Sequence, residues 1–250
     1  MISIKSNDEI ALLKIAGSIV HDTRMYLLPF IKEGITTKEL DKLAEDYILS
    51  RGATPSFKGY NGYPSSICTS INEEVAHALP SKRKLRNGDI ISIDIGVCFR
   101  GVHADSAWTY PVGEVSSKRE MIMKCTKEAL FSGINAIKPG SHIGDISHAI
   151  SKISKKYHLS IVKEVSGHGI GKELHEEPDI LNYGIEGSGE ELMEGMVLAI
   201  EPVLAVGRGD VEMVDDWTME TVDNSSTAHY EHTVLVTSDG YEILTGGIDG

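Results

Sequence analysis

Four carboxylates stand where an apolar strand would bury them. Asp94 lies inside Ile90-Ile91-Ser92-Ile93-Asp94-Ile95, and Glu201 closes Met196-Val197-Leu198-Ala199-Ile200-Glu201. An unpaired carboxylate is expensive in such a run, so something must compensate it. Asp105 follows eleven residues after Asp94, and a turn near Arg100 would let the two side chains face each other on one side of a hairpin. Glu231 opens Glu231-His232-Thr233-Val234-Leu235-Val236. Strand alternation turns Glu231 and His232 to opposite faces, so at most one of them enters a given site. Taken singly, each acid reads as a salt-bridged or edge-strand residue. Converging in one pocket, they would repel by about 4 kcal/mol per close pair at an effective dielectric of about 20, and two divalent cations would cancel that charge.

His168 is the imidazole candidate for the same place. It sits in Ser166-Gly167-His168-Gly169-Ile170-Gly171, where flanking glycines permit a sharp turn or a close approach. A phosphate-cradling loop is the competing reading, but the glycine spacing matches neither the dinucleotide nor the Walker pattern. Carboxylates with one imidazole and no thiolate form a hard to borderline donor set that suits Mn, Fe, Co or Zn, and a pair of such ions can activate water. Of the remaining histidines, His21, His103, His142, His148, His158, His229 and His232 read as ordinary solvated or packed residues.

The elements that must position these groups follow from periodicity and caps. An apolar helical stripe runs from Asn7 through Ile10, Leu13, Ala16, Gly17 and Val20 and stops near Pro29. Thr36-Thr37-Lys38-Glu39 reads as a capping box for a second helix that Gly52 ends. Pro55 to Pro64 has no period and reads as an aromatic loop. Turns at Asn87-Gly88-Asp89 and Arg100-Gly101 bracket a strand Ile90–Phe99, with His103–Val112 as its hairpin partner. Helices near Lys118–Ile137 and His142–Tyr157 then precede strands to the C-terminus. The order helix, helix, strands thus occurs twice, and Gly88 to Asp94 is echoed by Gly195 to Glu201. The expectation is an α+β fold in one domain over residues 1–250, with pseudo-symmetric halves of about 1–115 and 116–250.

Composition narrows the class. The chain has 250 residues, 41% hydrophobic, with a formal net charge of −13, which suits a soluble globular protein and argues against general binding to a phosphate backbone. Cys68, Cys98 and Cys125 are the three cysteines, with no C-x-x-C pair; neither a disulfide framework nor a thiolate zinc site is indicated, and a reducing cytoplasm fits. Lys5, Asp8 and Glu9 interrupt the first residues, so no secretory signal is expected there, and no run reaches the ~20 apolar residues of a membrane span.

The ordered set Asp94, Asp105, His168, Glu201 and Glu231 resembles the type I bacterial methionine aminopeptidase family, whose fold is the pita-bread fold. The likeness extends over the chain through Gly34-Ile35-Thr36-Thr37-Lys38-Glu39-Leu40-Asp41, Ser70-Ile71-Asn72-Glu73-Glu74-Val75-Ala76-His77, Gly167-His168-Gly169-Ile170-Gly171, His175-Glu176-Glu177-Pro178, Glu194 to Pro202 and Glu231-His232-Thr233. It implies duplicated helix-helix-strands halves around a curved antiparallel sheet. It further implies that Asp105 and Glu231 bridge two divalent ions, that Asp94 chelates one, and that His168 with Glu201 completes the other. The implied reaction is hydrolysis of the first peptide bond of a chain beginning with methionine, by a hydroxide held between the ions, when the next residue is small. Glu201 is the implied proton acceptor. His77 and His175 match the family's two pocket histidines, which hydrogen-bond the scissile amide and its carbonyl. The methionine pocket would be lined by Tyr60, Tyr63, Cys68, Leu174 and Trp217. Phe57 stands where cysteine is frequent and Leu174 where phenylalanine is frequent, so both bear on pocket volume.

Two other readings compete. A proline-directed peptidase or creatinase-like hydrolase would keep a related site but generally carries an extra N-terminal domain. A binding module that kept the fold would have lost ligands. As partners, nascent polypeptides and peptides beginning with methionine are expected, with a monomer, no membrane and no specific nucleic acid. The one basic cluster, Lys82-Arg83-Lys84-x-Arg86, reads as a solvated loop, with a transient ribosome contact as its functional alternative.

Overall fold

Ser6 and Thr36 start the first two helices in the same way. Each side chain accepts from the backbone N–H three residues on, and Glu9 or Glu39 accepts from the cap residue's own N–H in return. These reciprocal bonds satisfy donors that the first helical turn leaves open. In the computed structural model, which describes residues 2–138 and 140–246, α1 spans Asn7–Leu27 and α2 spans Thr37–Ser50. Met1, Pro139 and residues 247–250, which the expected halves include, lie outside the described residues.

The first group of strands comprises β1 (Thr54–Pro55), β2 (Ile67–Ile71), β3 (Ile90–Phe99) and β4 (Val102–Pro111). All pair antiparallel with β3, and the β3–β4 hairpin turns at Arg100 and Gly101, both with positive φ. Then come α3 (Ser117–Ile134) and α4 (Ile143–Lys156). α3 stops three residues short of the expected end. Lys138 precedes a proline, which disfavours helical backbone there.

Short strands complete the chain: β5 (Ser160–Ile161), β6 (Gly167–Gly169), β7 (Glu176–Ile180), β8 (Val197–Ile200), β9 (Val203–Ala205), β10 (Val211–Met213), β11 (Met219–Thr221), β12 (Thr227–His229), β13 (His232–Thr237) and β14 (Gly240–Ile243). They form sheets in the orders β14-β13-β8-β6-β7, β12-β9-β5 and β10-β11. Within them, β6-β8-β13 repeats the arrangement β2-β3-β4, with the middle strand antiparallel to both neighbours. Gly88 and Gly195 enter the two middle strands with φ of 96° and 86°, a conformation that favours glycine and gives both turns the same hand.

The two strand groups meet at β4 and β13. Asp105 N–H donates to Thr233 Oγ1 at 3.0 Å, Ser106 Oγ donates to the Glu231 carbonyl at 2.7 Å, and Glu231 N–H donates to the Ala107 carbonyl at 2.8 Å. Each group carries its own apolar core. Ala16, Val20, Leu40, Ala44 and Ile48 of α1 and α2 pack on Ile67, Ile91, Ile93 and Ile95; Ile122, Leu130, Ile146 and Ile150 of α3 and α4 pack on Leu198, Ile200 and Val234. At ~25 cal/mol per Å2 of apolar surface removed from water, these paired cores are what hold the helices against the sheets. No helix among the described residues is long and apolar enough to cross a membrane.

Candidate metal centre

The seam between β4 and β13 is where the acids gather. Asp94 projects from the middle of β3, Asp105 from β4, His168 from the centre of β6, Glu201 directly after β8, and Glu231 between β12 and β13. All five line one cavity of about 280 Å3. Asp105, His168 and Glu231 are the tightest group, each buried, with one donor atom apiece inside 4.8 Å of the others. His168 Nε2 stands 3.7 Å from Asp105 Oδ2 and 3.5 Å from Glu201 Oε1. Asp94 and Glu201 share the cavity wall but lie outside that tight trio. Asp94 and Asp105 point to one face, as the spacing predicts, yet diagonally: Asp94 pairs with Ala107, and Asp105 pairs with Gly96. The turn closes on Arg100-Gly101, which fixes that register.

Glycines make the His168 strand possible. A side chain on Gly167 would come within 2.3 Å of the Ala199 carbonyl, and one on Gly169 within 2.2 Å of the Glu177 carbonyl. Their absence lets β6 lie tightly between β8 and β7 and aim His168 into the cavity. His168 Nδ1 is 2.9 Å from the Gly169 carbonyl, which places the proton on Nδ1 and leaves Nε2 free to ligate.

Electrostatics mark the same residues. Burial, with Asp105 and Glu201 adding to it, pushes Asp94 up to about 7. Burial and then Glu201 raise Asp105 to about 8. Burial raises Glu201 to about 7, and burial with the other three acids lifts Glu231 well above the carboxylate range. Among the described residues no lysine or arginine forms an ion pair with any of the four, and Asp94 Oδ1 is buried without a hydrogen-bond partner. Four enclosed carboxylates, one imidazole and an unsatisfied oxygen fit a divalent cation, which would lower every one of these raised values. A neutral acid cluster sharing protons would need acceptors close to each carboxyl, and Asp94 Oδ1 has none.

The rest of the cavity is apolar on one side and basic at its mouth. Phe57, Tyr60, Tyr63, Cys68, Leu174 and Trp217 all line it. Tyr63 meets Trp217 edge-on at 5.2 Å and anchors its hydroxyl on the Ile67 and Ala78 carbonyls. Burial, reinforced by Asp94, pushes the Cys68 thiol up, so it behaves as an apolar wall. His175 is held by Tyr60, Nδ1 to hydroxyl 2.8 Å, and lies edge-on to His168 at 4.2 Å. His77 adopts φ of 58°, a backbone state uncommon outside glycine that tends to occur at functional sites. Both rings keep open surface at the mouth, while the dense wall behind them pushes each down to about 4. Both are neutral at neutral pH.

Two residues at or behind the cavity escape the sequence reading. Asn61, at φ 48°, lines the mouth; nothing but its place in the aromatic loop signals it. His229 stands behind Glu201, Nε2 to Oε2 3.6 Å. Period-two alternation puts it on the face of Glu231, a signal that the adjacent His232 obscures. His232 itself turns away, to Trp108, Phe131 and Thr245.

Known proteins resemble this chain in sequence and fold. The family model for metallopeptidase family M24 matches residues 11–238. Methionine aminopeptidase 1 of Bacillus subtilis (strain 168) is 48% identical over 246 residues, which is 98% of this chain and 99% of that one. The crystal structure of methionine aminopeptidase from Rickettsia prowazekii superposes with a TM-score of 0.96 at 39% identity, covering 98% of this chain and 100% of that one. Prolidase from Pyrococcus furiosus superposes with a TM-score of 0.80 at 26% identity, covering 97% of this chain but 65% of the prolidase. The fold is the α+β pita-bread fold that these structures have in common. With its match to the family model and its identity to full-length relatives, the chain belongs to metallopeptidase family M24 and, within it, to the methionine aminopeptidases.

Proposed function

We propose that the chain removes the N-terminal methionine of nascent proteins and peptides whose second residue is small, as a type I enzyme of one catalytic domain over residues 1–250. The observation that supports this most is the buried trio Asp105, His168 and Glu231 at the floor of an apolar pocket. Asp105 and Glu231, together with Asp94, His168 and Glu201, would hold the two proposed divalent ions of the Mn, Fe, Co or Zn kind. When bound, such ions supply Lewis acidity and a lowered pKa for water.

The chain's own residues do the rest. The aromatic and aliphatic wall holds a flexible thioether by contact with ring faces and excludes water from it. His77 and His175, neutral and at the mouth, orient the scissile amide and its carbonyl by hydrogen bonds, and Tyr60 fixes the ring of His175. Glu201, at the edge of the trio, is the proposed acceptor that holds a proton at its carboxylate during the reaction. The rings of His168 and His175 crowd the place beside the methionine pocket, which favours a small next side chain.

The working form is read as a cytoplasmic monomer. Lys82, Lys84 and Arg86 are exposed, while Arg83 is paired with Glu74 at 2.7 Å, and this loop is the proposed transient ribosome contact. Charge reversal of the three exposed residues is expected to reduce ribosome co-sedimentation; unchanged co-sedimentation removes the contact. For the activity itself, Met-Ala-Ser is compared with Ala-Pro and creatine under added Mn or Co. Release of methionine is expected. Cleavage of the proline peptide alone rejects the assignment, and silence with every metal favours a binding module.

A further inference from the structure

His229 is buried, and its Nε2 has no hydrogen-bond partner. Buried polar atoms in folded proteins are nearly always paired, so an unpaired ring nitrogen beside a carboxylate cluster calls for an occupant or a movement that completes it. The backbone that carries the ring is held in place. The His229 backbone N–H donates to Thr109 Oγ1 at 2.9 Å, and that hydroxyl donates back to the His229 carbonyl at 2.8 Å while contacting Ser92 Oγ at 2.8 Å. Nε2 lies 3.6 Å from Glu201 Oε2. The other oxygen of Glu201 faces His168 Nε2 at 3.5 Å, so the carboxylate spans two imidazoles, one per oxygen. His229 is absent from the cavity wall; it backs the carboxylate rather than opening on the substrate. Its strongest electrostatic partner is Asp94, whose Oδ1 is the other unpartnered atom of the cluster.

We propose that His229 is a positioning residue: its ring carries the proton on Nε2 and donates it to Glu201 Oε2, holding that carboxylate in place from behind while its dipole faces Asp94. The inference rests on the reading of Glu201 and Asp94 as metal-holding residues and adds to it the group that orients them. The bond requires the two atoms to approach by roughly 0.7 Å to reach a charge-assisted length, and that closure is part of the proposal. A ligand carboxylate that is itself hydrogen-bonded keeps its orientation, and loss of such a partner typically costs 10–100-fold in metal affinity.

The test compares wild type with His229→Phe, which fills the space without a donor, and His229→Gln, which restores one. Titration calorimetry with Co(II) alone reads affinity, and the Co(II) absorption spectrum reads ligand geometry. His229→Phe is expected to bind Co(II) about 10–100-fold more weakly with an altered spectrum, and His229→Gln to return within a few fold with the wild-type spectrum. Equal affinity and spectrum for Phe and wild type overturn the inference, as does a Gln variant no better than Phe. Failure of wild type to bind Co(II) at all defeats the metal reading instead, so the two failures are distinct. Should His229→Phe not fold, 15N imidazole spectra of the wild type decide: a proton on His229 Nε2 with and without Zn(II) is expected, and loss of it to the metal overturns the proposal.

Discussion

The two strand triplets β2-β3-β4 and β6-β8-β13 present the same backbone to one cavity and put different chemistry on it. Asp94 and Glu201 hold equivalent places, each six residues beyond a turn glycine of positive φ. From there the registers diverge in content. Across from the position two before the acid, the first triplet has Ser70 and the second has His168. The pairing of β13 with β8 continues unchanged through β12 and β9, so Glu231 falls opposite Glu201 where the first triplet has Ala107 opposite Asp94. By the same count His229 occupies the place of Asp105, and Val203 that of Gly96. The first triplet therefore supplies oxygen donors only, and the second supplies nitrogen as well. A repeated scaffold gives convergence; the substitutions on it make the two ends of the centre unequal, one harder and one borderline.

That inequality is broken most severely by removing the imidazole. His168→Ala is expected to lower bound metal and turnover together, by more than the ~100-fold that loss of an outer hydrogen-bond partner causes. Ser70→Ala, at the matching place in the other triplet, is expected to leave both unchanged. Elemental analysis beside the rate with a Met-Ala peptide checks the pair, and a His168→Ala protein with full metal would take His168 out of the ligand set. Next in size is His175→Ala. It is expected to retain metal and lose roughly 10²–10⁴-fold in rate, the span usual for a group acting in proton transfer. Loss of metal in this variant would mean that His175 belongs to the centre rather than to the mouth.

Removing the metal sharpens the contrast in a different way. The four acids have folded values raised above their unfolded ones, to about 7 for Asp94 and Glu201 and about 8 for Asp105. Between the unfolded range near 4 and these folded values the native state binds more protons than the unfolded chain, so stability falls as pH rises through that window. Metal-stripped protein is expected to lose thermal midpoint from pH 5 to pH 8, and loaded protein to lose much less, because the cation compensates the charges. Parallel curves for the two forms would show that something else neutralises the acids.

How much of this was legible depended on the kind of signal. Asp94 and Glu201 were visible because a charge in an apolar strand has no local excuse, and His168 because glycines on both sides announced a close approach. The helices were visible through their apolar spacing and, at Thr36, a capping box, and the hairpin through its turn. The diagonal offset of Asp94 and Asp105 was not, since register depends on which residue closes the turn. His229 was not, because only the seating of β12 beside β9 turns it behind Glu201. Asn61 belongs to a loop without period, where pattern carries no directional information. The pairing of β4 with β13 across 120 or more residues joins places that no local pattern connects.

The smallest effect concerns the position where the triplets hold Gly96 and Val203. A side chain at Gly96 would come within 2.5 Å of the Phe57 ring and 2.9 Å of Ser56 Cβ, so the bare backbone there is what admits Phe57 to the pocket wall. Gly96→Val gives the first triplet the residue of the second. The ring has to move into the cavity, since the backbone at Gly96 is held by its pairing with β4 on one side and on the other by the Ser56 N–H, which donates to the Gly96 carbonyl at 2.9 Å. Overpacking of this kind costs about 1–3 kcal/mol when it is not relieved. At the lower end that is roughly a fivefold rise in KM for a Met-Ala peptide, with metal content unchanged because Asp105 faces Gly96 through backbone pairing alone. Pairing the change with Phe57→Ala is expected to restore KM by vacating the space. A KM that stays raised in the double variant would assign the effect to the Asp105 strand, and the two triplets would then differ at this position through their backbones rather than through the ring packed on one of them.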